Sequence, residues 1–175
     1  MREKLVSRLG YGCVMGVLLL GASGVVAAQS NEDKGESREN VALKNRRTTP
    51  KGTDIDSTVT LDGLLSKKEA DGWSTARAAV VDGYVIQLER EDDGDHHLTL
   101  ATNAGETDTT KWVIVEVTPA WSKRLASLSN GQLNNLRGKQ IRVTGWLYYE
   151  PDNPSRDPRG TRWEIHPVTS ITILK

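Results

Sequence analysis

The sequence predicts an all-β domain, a five-stranded barrel with one helix between the third and fourth strands. Five runs of the chain are rich in β-branched and aromatic residues, and most of them alternate apolar with polar side chains. A glycine interrupts the long first run, and a leucine-rich stretch at helical spacing separates the third run from the fourth. All of these features lie within residues 59–175, a length that suits one domain with one core.

The first two predicted strands form a hairpin. Residues 78–90 (AAVVDGYVIQLER) predict a long strand, in which Gly83 indicates a bulge or a sharp bend. The turn at residues 92–95 (DDGD) is typical of a hairpin and leads into a second strand at residues 96–101. Before this hairpin, the sequence predicts a short helix whose N-cap is Thr60.

The second half of the domain supplies the remaining elements. Residues 111–118 predict the third strand, because they are rich in β-branched residues and end at a proline. Residues 120–136 have leucines at helical spacing and predict one helix or two short ones. Residues 140–149 and 163–174 predict the last two strands, which are separated by a loop with three prolines.

The predicted order strand, strand, strand, helix, strand, strand is that of an OB-fold. The runs VVDGYV at 80–85, VIVEV at 113–117 and VTG at 143–145 resemble the pattern of secreted bacterial OB-fold domains of the BOF-like group. The element Glu-x-His-Pro-Val at residues 164–168 is similar to one in uncharacterised exported bacterial proteins. The resemblance spans about residues 80–173 and implies an exported OB-fold domain.

The first 28 residues predict a cleavable signal peptide. Basic residues at positions 2, 4 and 8 precede an apolar run at 14–20, and small residues at 26–28 place the cleavage before Gln29. The apolar run is too short, and too interrupted by glycine and serine, for a membrane anchor. We therefore expect a periplasmic or secreted protein that has no membrane span after cleavage.

Residues 29–58 predict a disordered linker, because so few apolar side chains cannot offset the entropy of ordering the segment. Cleavage of the signal peptide would also remove Cys13, the only cysteine, and change the formal net charge from 0 to −2. The mature chain would then have no thiolate for catalysis or metal binding. Its near-neutral charge gives no strong attraction for polyanions.

One face of the predicted barrel gathers side chains that can bind metal. An OB barrel closes in the order 1-2-3-5-4, so its second, third and fifth strands lie side by side, and alternation directs several polar side chains outward from them. Two imidazoles and two carboxylates among these are ordinary ligands of a divalent transition metal, which is the one candidate cofactor. A polar cluster that braces the barrel is the alternative. The candidate metal ligands are His97, Glu116, Glu164 and His166.

The same face and the loops beside it are the candidate ligand-binding surface, for which we expect an unknown small ligand or an envelope component as the partner. Aromatic and arginine side chains near residue 150 also suit single-stranded nucleic acid. The 14 basic and 16 acidic residues of the domain argue against that partner. The candidate ligand-binding residues are Trp112, Glu116, Tyr148, Tyr149 and Arg162.

Three function hypotheses follow from these residues. The first is an exported, non-enzymatic OB-fold module that binds a small ligand, a cation or an envelope component. The second is a metal-dependent hydrolase centred on His97, Glu116 and His166. The third is binding of single-stranded nucleic acid. No catalytic residue is assigned, because the sequence has no Gly-x-Ser-x-Gly elbow and no HExxH motif.

Overall fold

A computed structural model describes residues 37–125, 130–151 and 159–174. The predicted signal peptide, residues 1–28, and the first part of the predicted linker lie outside these ranges. Within the described ranges, no helix has both the length and the apolar character needed to cross a membrane.

Five strands form the closed barrel that the sequence predicts. They pair in the order β1-β2-β3-β5-β4 and back to β1, which is the strand order of an OB-fold. The pairs are antiparallel except for β3 with β5, which are parallel and meet at Val115 and Ile165. The strands are β1 (Ala78–Arg90), β2 (His96–Ala101), β3 (Val113–Val117), β4 (Gln140–Tyr149) and β5 (Trp163–Ile173).

Short helices surround the barrel. The predicted N-cap Thr60 is confirmed, because its side chain accepts a hydrogen bond from the backbone N–H of Gly63 at 2.9 Å. Between β3 and β4 the described residues form two short helices and a 3₁₀ turn at Asn134–Leu136. The helices are α1 (Arg38–Lys44), α2 (Leu61–Ser66), α3 (Pro119–Ser122) and α4 (Asn130–Leu133).

The barrel interior is filled by the side chains that alternation directs inward. Leu98 and Leu100 of β2 and the three valines of β3 are fully buried. Leucines from α2, from α4 and from the 3₁₀ turn pack on the barrel and close the core. These helical segments are too short to be stable without such packing. The helical elements that contribute to the core are therefore held by tertiary contacts more than by their own hydrogen bonds.

The predicted bulge in β1 lies at a different place from the one that the sequence indicates. The pairing of β1 with β2 shifts between Val85 and Gln87, whereas Gly83 keeps regular pairing with Ile141 of β4. A Cβ atom at Gly83 would lie 2.6 Å from Leu61 Cδ1 of α2. The glycine therefore permits close packing of α2 on the strand, and the extra residue of the bulge is Ile86.

Residues 37–58, which we call the N-terminal strap, correct the prediction of a disordered linker. The indole N–H of Trp121 donates to the carbonyl of Arg46 at 2.8 Å, and that of Trp146 donates to the carbonyl of Thr48 at 2.8 Å. Ile55 then pairs in parallel with Ala78 at the start of β1. The prediction was wrong for this segment because it counted apolar residues, whereas the strap is ordered by backbone and cationic contacts.

Cation–π contacts extend the attachment of the strap to the barrel. The Arg46 guanidinium lies 4.6 Å from the centroid of the Trp146 ring, and Lys44 Nζ lies 5.3 Å from that of Tyr148. Arg124, which stacks 4.9 Å from the Trp121 ring, donates to the Arg47 carbonyl at 2.8 Å. Helix α1 buries no residue, so its attachment depends on polar and cation–π contacts.

Gly145 of β4 provides a test of barrel packing. A Cβ atom there would lie 2.6 Å from the Pro167 carbonyl oxygen and 3.0 Å from Val168 Cα, and neither backbone atom can turn away. We expect Gly145→Ala to lower the free energy of unfolding by about 2–3 kcal/mol, as overpacking does. Denaturant unfolding measures this, with Gly52→Ala as the matched control, because a Cβ atom at Gly52 meets nothing within 4 Å. Equal free energies of unfolding for Gly145→Ala and Gly52→Ala would contradict the close packing around Gly145.

Tryptic cleavage of the strap after Arg46 or Arg47 provides a second test. Trp121→Phe and Trp146→Phe keep the rings but remove the indole donors to the strap. We expect each change to speed tryptic cleavage after Arg46 or Arg47 about fivefold, because one hydrogen bond contributes about 1 kcal/mol to closing the segment. Trp73→Phe is the control, since the indole N–H of Trp73 has no hydrogen-bond partner among the described residues. Unchanged cleavage in both variants would show that these bonds do not hold the strap.

Candidate functional site

The carboxylate of Glu116 on β3 lies between two imidazoles from neighbouring strands. His97 Nε2 lies 3.0 Å from Glu116 Oε1, and His166 Nδ1 lies 2.7 Å from Glu116 Oε2. The pairing of β2 with β3 sets His97 directly opposite Glu116, and the parallel pairing of β3 with β5 brings His166 beside them. The predicted gathering of these three side chains on one face is therefore observed.

The carboxylate of Asp95, which the sequence analysis did not select, lies beside the same His166 imidazole. Asp95 Oδ2 lies 3.7 Å from His166 Nε2, on the far side of the imidazole from Glu116. Asp95 comes two residues before His97, so strand alternation places both side chains on one face. The sequence contained this signal, but Asp95 was assigned to the hairpin turn. His166 thus has a carboxylate on each side of its ring.

Glu164 lies next to His166 but is paired mainly with a different residue. Its Oε1 atom forms a close ion pair with Arg159, while its Oε2 atom lies 3.9 Å from His166 Nδ1. The side chains of Glu164 and His166 are 2% and 3% exposed, so neither can be solvated by bulk water. Asp95, His97, Glu116, Arg159, Glu164 and His166 together are called the charge cluster below.

Mutual attraction outweighs the cost of burial for His97, Glu116 and His166. Burial would lower the pKa of His166, but Glu116 and Glu164 raise it to about 10. Burial likewise opposes the charge on His97, yet Glu116 raises its pKa to about 9. Burial would raise the pKa of Glu116, but the two imidazoles hold it well below its usual value.

The pKa of Asp95 is shifted in the opposite direction from that of Glu116. Burial raises its pKa to about 7, against the attraction of the His166 imidazolium. In the metal-free protein near neutral pH, Asp95 is therefore the carboxyl group that exchanges a proton, while His97 and His166 remain protonated. The charge cluster is balanced by bound protons that a divalent cation can replace.

His166 is poorly satisfied as a hydrogen-bonding group. Within the described ranges, neither of its ring nitrogens has a well-directed hydrogen bond, although Glu116 Oε2 is close to Nδ1, and Glu164 Oε2 has none either. Buried polar atoms usually have a hydrogen-bond partner, so these three atoms need an explanation. A cation bound at one ring nitrogen would give that atom a partner, and one metal-capable atom from each of Asp95, Glu116 and His166 lies within 4.8 Å of the others.

The structure divides the predicted metal ligands into two layers. Glu116 and His166 lie in the inner group together with Asp95. The His97 side chain, which is 28% exposed, contacts Glu116, and Glu164 is paired with Arg159. Charged groups of this kind orient and polarise the residues that bind a metal. All four predicted side chains are therefore adjacent, but only two of them belong to the inner group.

The predicted ligand-binding residues do not form one surface. Tyr148 lies edge-on to His166, with ring centroids 5.7 Å apart, and is covered by Lys44 of the strap. Tyr149 packs against the core residue Trp163, and Arg162 donates to the Pro151 carbonyl at 3.0 Å. Trp112 immediately precedes β3, and it is separated from Glu116 by about 13 Å of extended chain.

Comparisons with known proteins support the fold alone. No protein-family model and no curated protein matches the chain. A solved structure of the Stn1–Ten1 complex of S. pombe is similar, at 14% identity over 68% of this chain and 78% of that chain, with a TM-score of 0.44. An OBody bound to hen egg-white lysozyme is 14% identical over 73% of this chain and 98% of that chain, with a TM-score of 0.42.

A third similar structure is the asparaginyl-tRNA synthetase of Entamoeba histolytica. It is 15% identical over 60% of this chain, with a TM-score of 0.41, but the match spans only 22% of the synthetase. At these identities the likeness concerns the fold alone.

These structures correct the predicted partner. We expected a small ligand or an envelope component and argued from net charge against nucleic acid, whereas the similar structures include an OBody bound to lysozyme and tRNA synthetases. Net charge was the wrong quantity for that argument, because it does not report where on the surface the basic and acidic side chains lie. Both the small-ligand expectation and the argument against nucleic acid are withdrawn.

Proposed function

We propose that this chain is an OB-fold protein that binds one divalent transition-metal ion through Asp95, Glu116 and His166. The observation that carries the proposal is the His166 imidazole, which is 3% exposed, lies between two carboxylates and has no well-directed hydrogen bond at either nitrogen. Buried polar atoms usually have well-directed hydrogen bonds, so two ring nitrogens without one are an unusual feature for a purely structural histidine.

The donor atoms indicate the class of metal. One imidazole nitrogen and two carboxylate oxygens suit zinc, iron or manganese better than calcium or magnesium, which prefer oxygen ligands alone. A tetrahedral zinc site with bonds of about 2.1 Å separates its ligands by about 3.4 Å. The three donor atoms lie within 4.8 Å of one another, so side-chain movements of about 1 Å would bring them to such a geometry. Water would take the fourth position.

The surrounding residues support such a site. His97 contacts Glu116 Oε1 at 3.0 Å and would hold that carboxylate in position, while Glu91 lies 3.6 Å from the other nitrogen of His97. Arg159 neutralises Glu164, so the inner group does not carry a third free carboxylate. The hydrolase hypothesis would add a reaction to this metal, with His97 at its exposed side. Export to the periplasm or beyond, predicted from the first 28 residues, is part of the same proposal.

The decisive test is metal binding by the full chain purified without a histidine tag. Titration calorimetry with Zn²⁺ after EDTA treatment should show one site per chain, and a hundredfold excess of Zn²⁺ over Kd should stabilise the fold by about 2.7 kcal/mol. His166→Gln and Glu116→Gln should abolish binding because each removes an inner ligand. Asp92→Asn is the matched control, since Asp92 is an exposed acid of the same hairpin.

The same titration distinguishes metal binding from a structural brace. If the charge cluster only braces the barrel, wild-type protein binds no metal, and Glu116→Gln destabilises it equally with and without Zn²⁺. That result would overturn the proposal. Should His166→Gln fail to fold, Asp95→Asn gives a second variant, in which one donor of the inner group is weakened while the size of the side chain is kept.

The affinity for metal should also depend on pH in a defined direction. His166 must lose a proton to bind metal, and its pKa of about 10 in the metal-free protein means that this proton is present at neutral pH. Affinity should therefore rise with pH, by about tenfold per unit for each proton displaced. Calorimetry in two buffers of different ionisation enthalpy at pH 7 and pH 8 measures the protons released. Affinity that stays constant over this range would contradict displacement of protons from the charge cluster.

A further inference from the structure

A separate cleft of about 430 Å³ lies near the other end of β3 from the charge cluster. It is bounded by the bulge of β1, the loop between β2 and β3, and the turn before β4. The turn is fixed against the strand by two backbone hydrogen bonds, from Gly138 to the Val85 carbonyl at 2.8 Å and from Val85 to the Lys139 carbonyl at 2.9 Å. The cleft is therefore formed by backbone that is firmly held, and it does not depend on the strap.

The walls of the cleft combine an indole with aliphatic side chains. Trp112 is half-buried there, and its Nε1 atom donates to the Glu106 carbonyl at 3.3 Å, which fixes the ring. Val85 and the bulge residue Ile86 also line the cleft. Bulges redirect side chains in this way and are frequent beside binding sites. A flat, apolar group is the shape that such walls accommodate.

Polar groups at the cleft are free to contact a ligand. Arg137 is exposed, and within the described parts of the chain its guanidinium has no ion pair and no hydrogen bond. The Gln87 amide likewise has no side-chain hydrogen bond there. The Glu106 carboxylate accepts from the backbone N–H of Thr107 and Asp108 and, together with Asp108, pairs with Lys111, so it forms no ion pair with Arg137 among the described residues.

We propose that this cleft binds one nucleotide unit of a single-stranded nucleic acid, with the base against Trp112 and a phosphate on Arg137. Base stacking on an aromatic ring provides affinity without requiring one sequence. The guanidinium fork matches phosphate oxygens, and the Gln87 amide offers both a donor and an acceptor to a base edge. A volume of about 430 Å³ is within the range of pockets that hold molecules of this size.

The inference does not rest on the proposed metal site. No residue of the charge cluster lines the cleft, so binding of a strand should persist in EDTA. The location also differs from the surface near residue 150 that the sequence suggests for nucleic acid. Arg162 of that surface already donates to the Pro151 carbonyl, whereas Arg137 has no such partner.

Fluorescence anisotropy of a labelled oligothymidylate of about ten nucleotides, titrated with the full chain in EDTA, tests the inference. Wild-type protein should bind it with a salt slope of about −0.7 for each phosphate contacted. Trp112→Leu should weaken binding fivefold to about a hundredfold, since a stacked base is lost. Arg137→Gln should weaken binding about tenfold and reduce the salt slope. Arg162→Gln is the matched control and should bind as wild type does.

Three results would overturn the inference. The first is no binding of the oligonucleotide by wild-type protein at low salt. The second is binding that Trp112→Leu and Arg137→Gln leave unchanged, or that Arg162→Gln weakens equally. The third is tighter binding of a short peptide ending in tyrosine, because that would assign the cleft to a protein partner with an aromatic carboxyl terminus. Competition with thymidine 5′-monophosphate shows whether the cleft prefers a free nucleotide or a strand. We expect the oligonucleotide to bind more tightly than the mononucleotide.

Discussion

The carboxylate of Glu116 controls how the outer face of this barrel is built. An ion buried in this way costs several kcal/mol unless opposite charges compensate it, and removing one partner of such a pair costs about 3–5 kcal/mol. His97 and His166 provide the compensation at 3.0 and 2.7 Å. The three side chains come from β2, β3 and β5, so their attraction acts across the strands whose pairing closes this part of the barrel. The ion pairs of the charge cluster therefore depend on the strand order of the barrel.

Much of this arrangement could be predicted from the sequence because strands follow a simple rule. A period of two fixes which side chains point outward, and the OB-fold order fixes which strands are neighbours. His97, Glu116, Glu164 and His166 were placed together on those grounds, and the structure brings them together. The closed barrel was predictable for the same reason, since its strands carry the apolar alternation that fills the core.

The remaining features depend on contacts that no local pattern records. The strap has the composition of a disordered segment, and it is ordered by tryptophans that lie 75 and 98 residues away in sequence from their partners. The bulge of β1 is defined by the pairing of β1 with β2, which the sequence of β1 alone does not record. A glycine in a strand can mark either a bulge or close packing, and Gly83 marks close packing. Arg159 was not expected near Glu164, because the conformation of the proline-containing loop could not be inferred.

The two ends of β3 have opposite electrostatic designs, which argues for two independent roles. At Glu116 the charges are buried and compensated by one another, which favours the proposed cation that replaces protons. At Trp112 the wall is largely apolar, and Arg137 is exposed with no ion pair among the described residues, which favours the proposed flat, anionic ligand. A single small molecule cannot meet both demands across about 13 Å of strand. An OB barrel in which only one of these sites is lost should therefore keep the binding properties of the other.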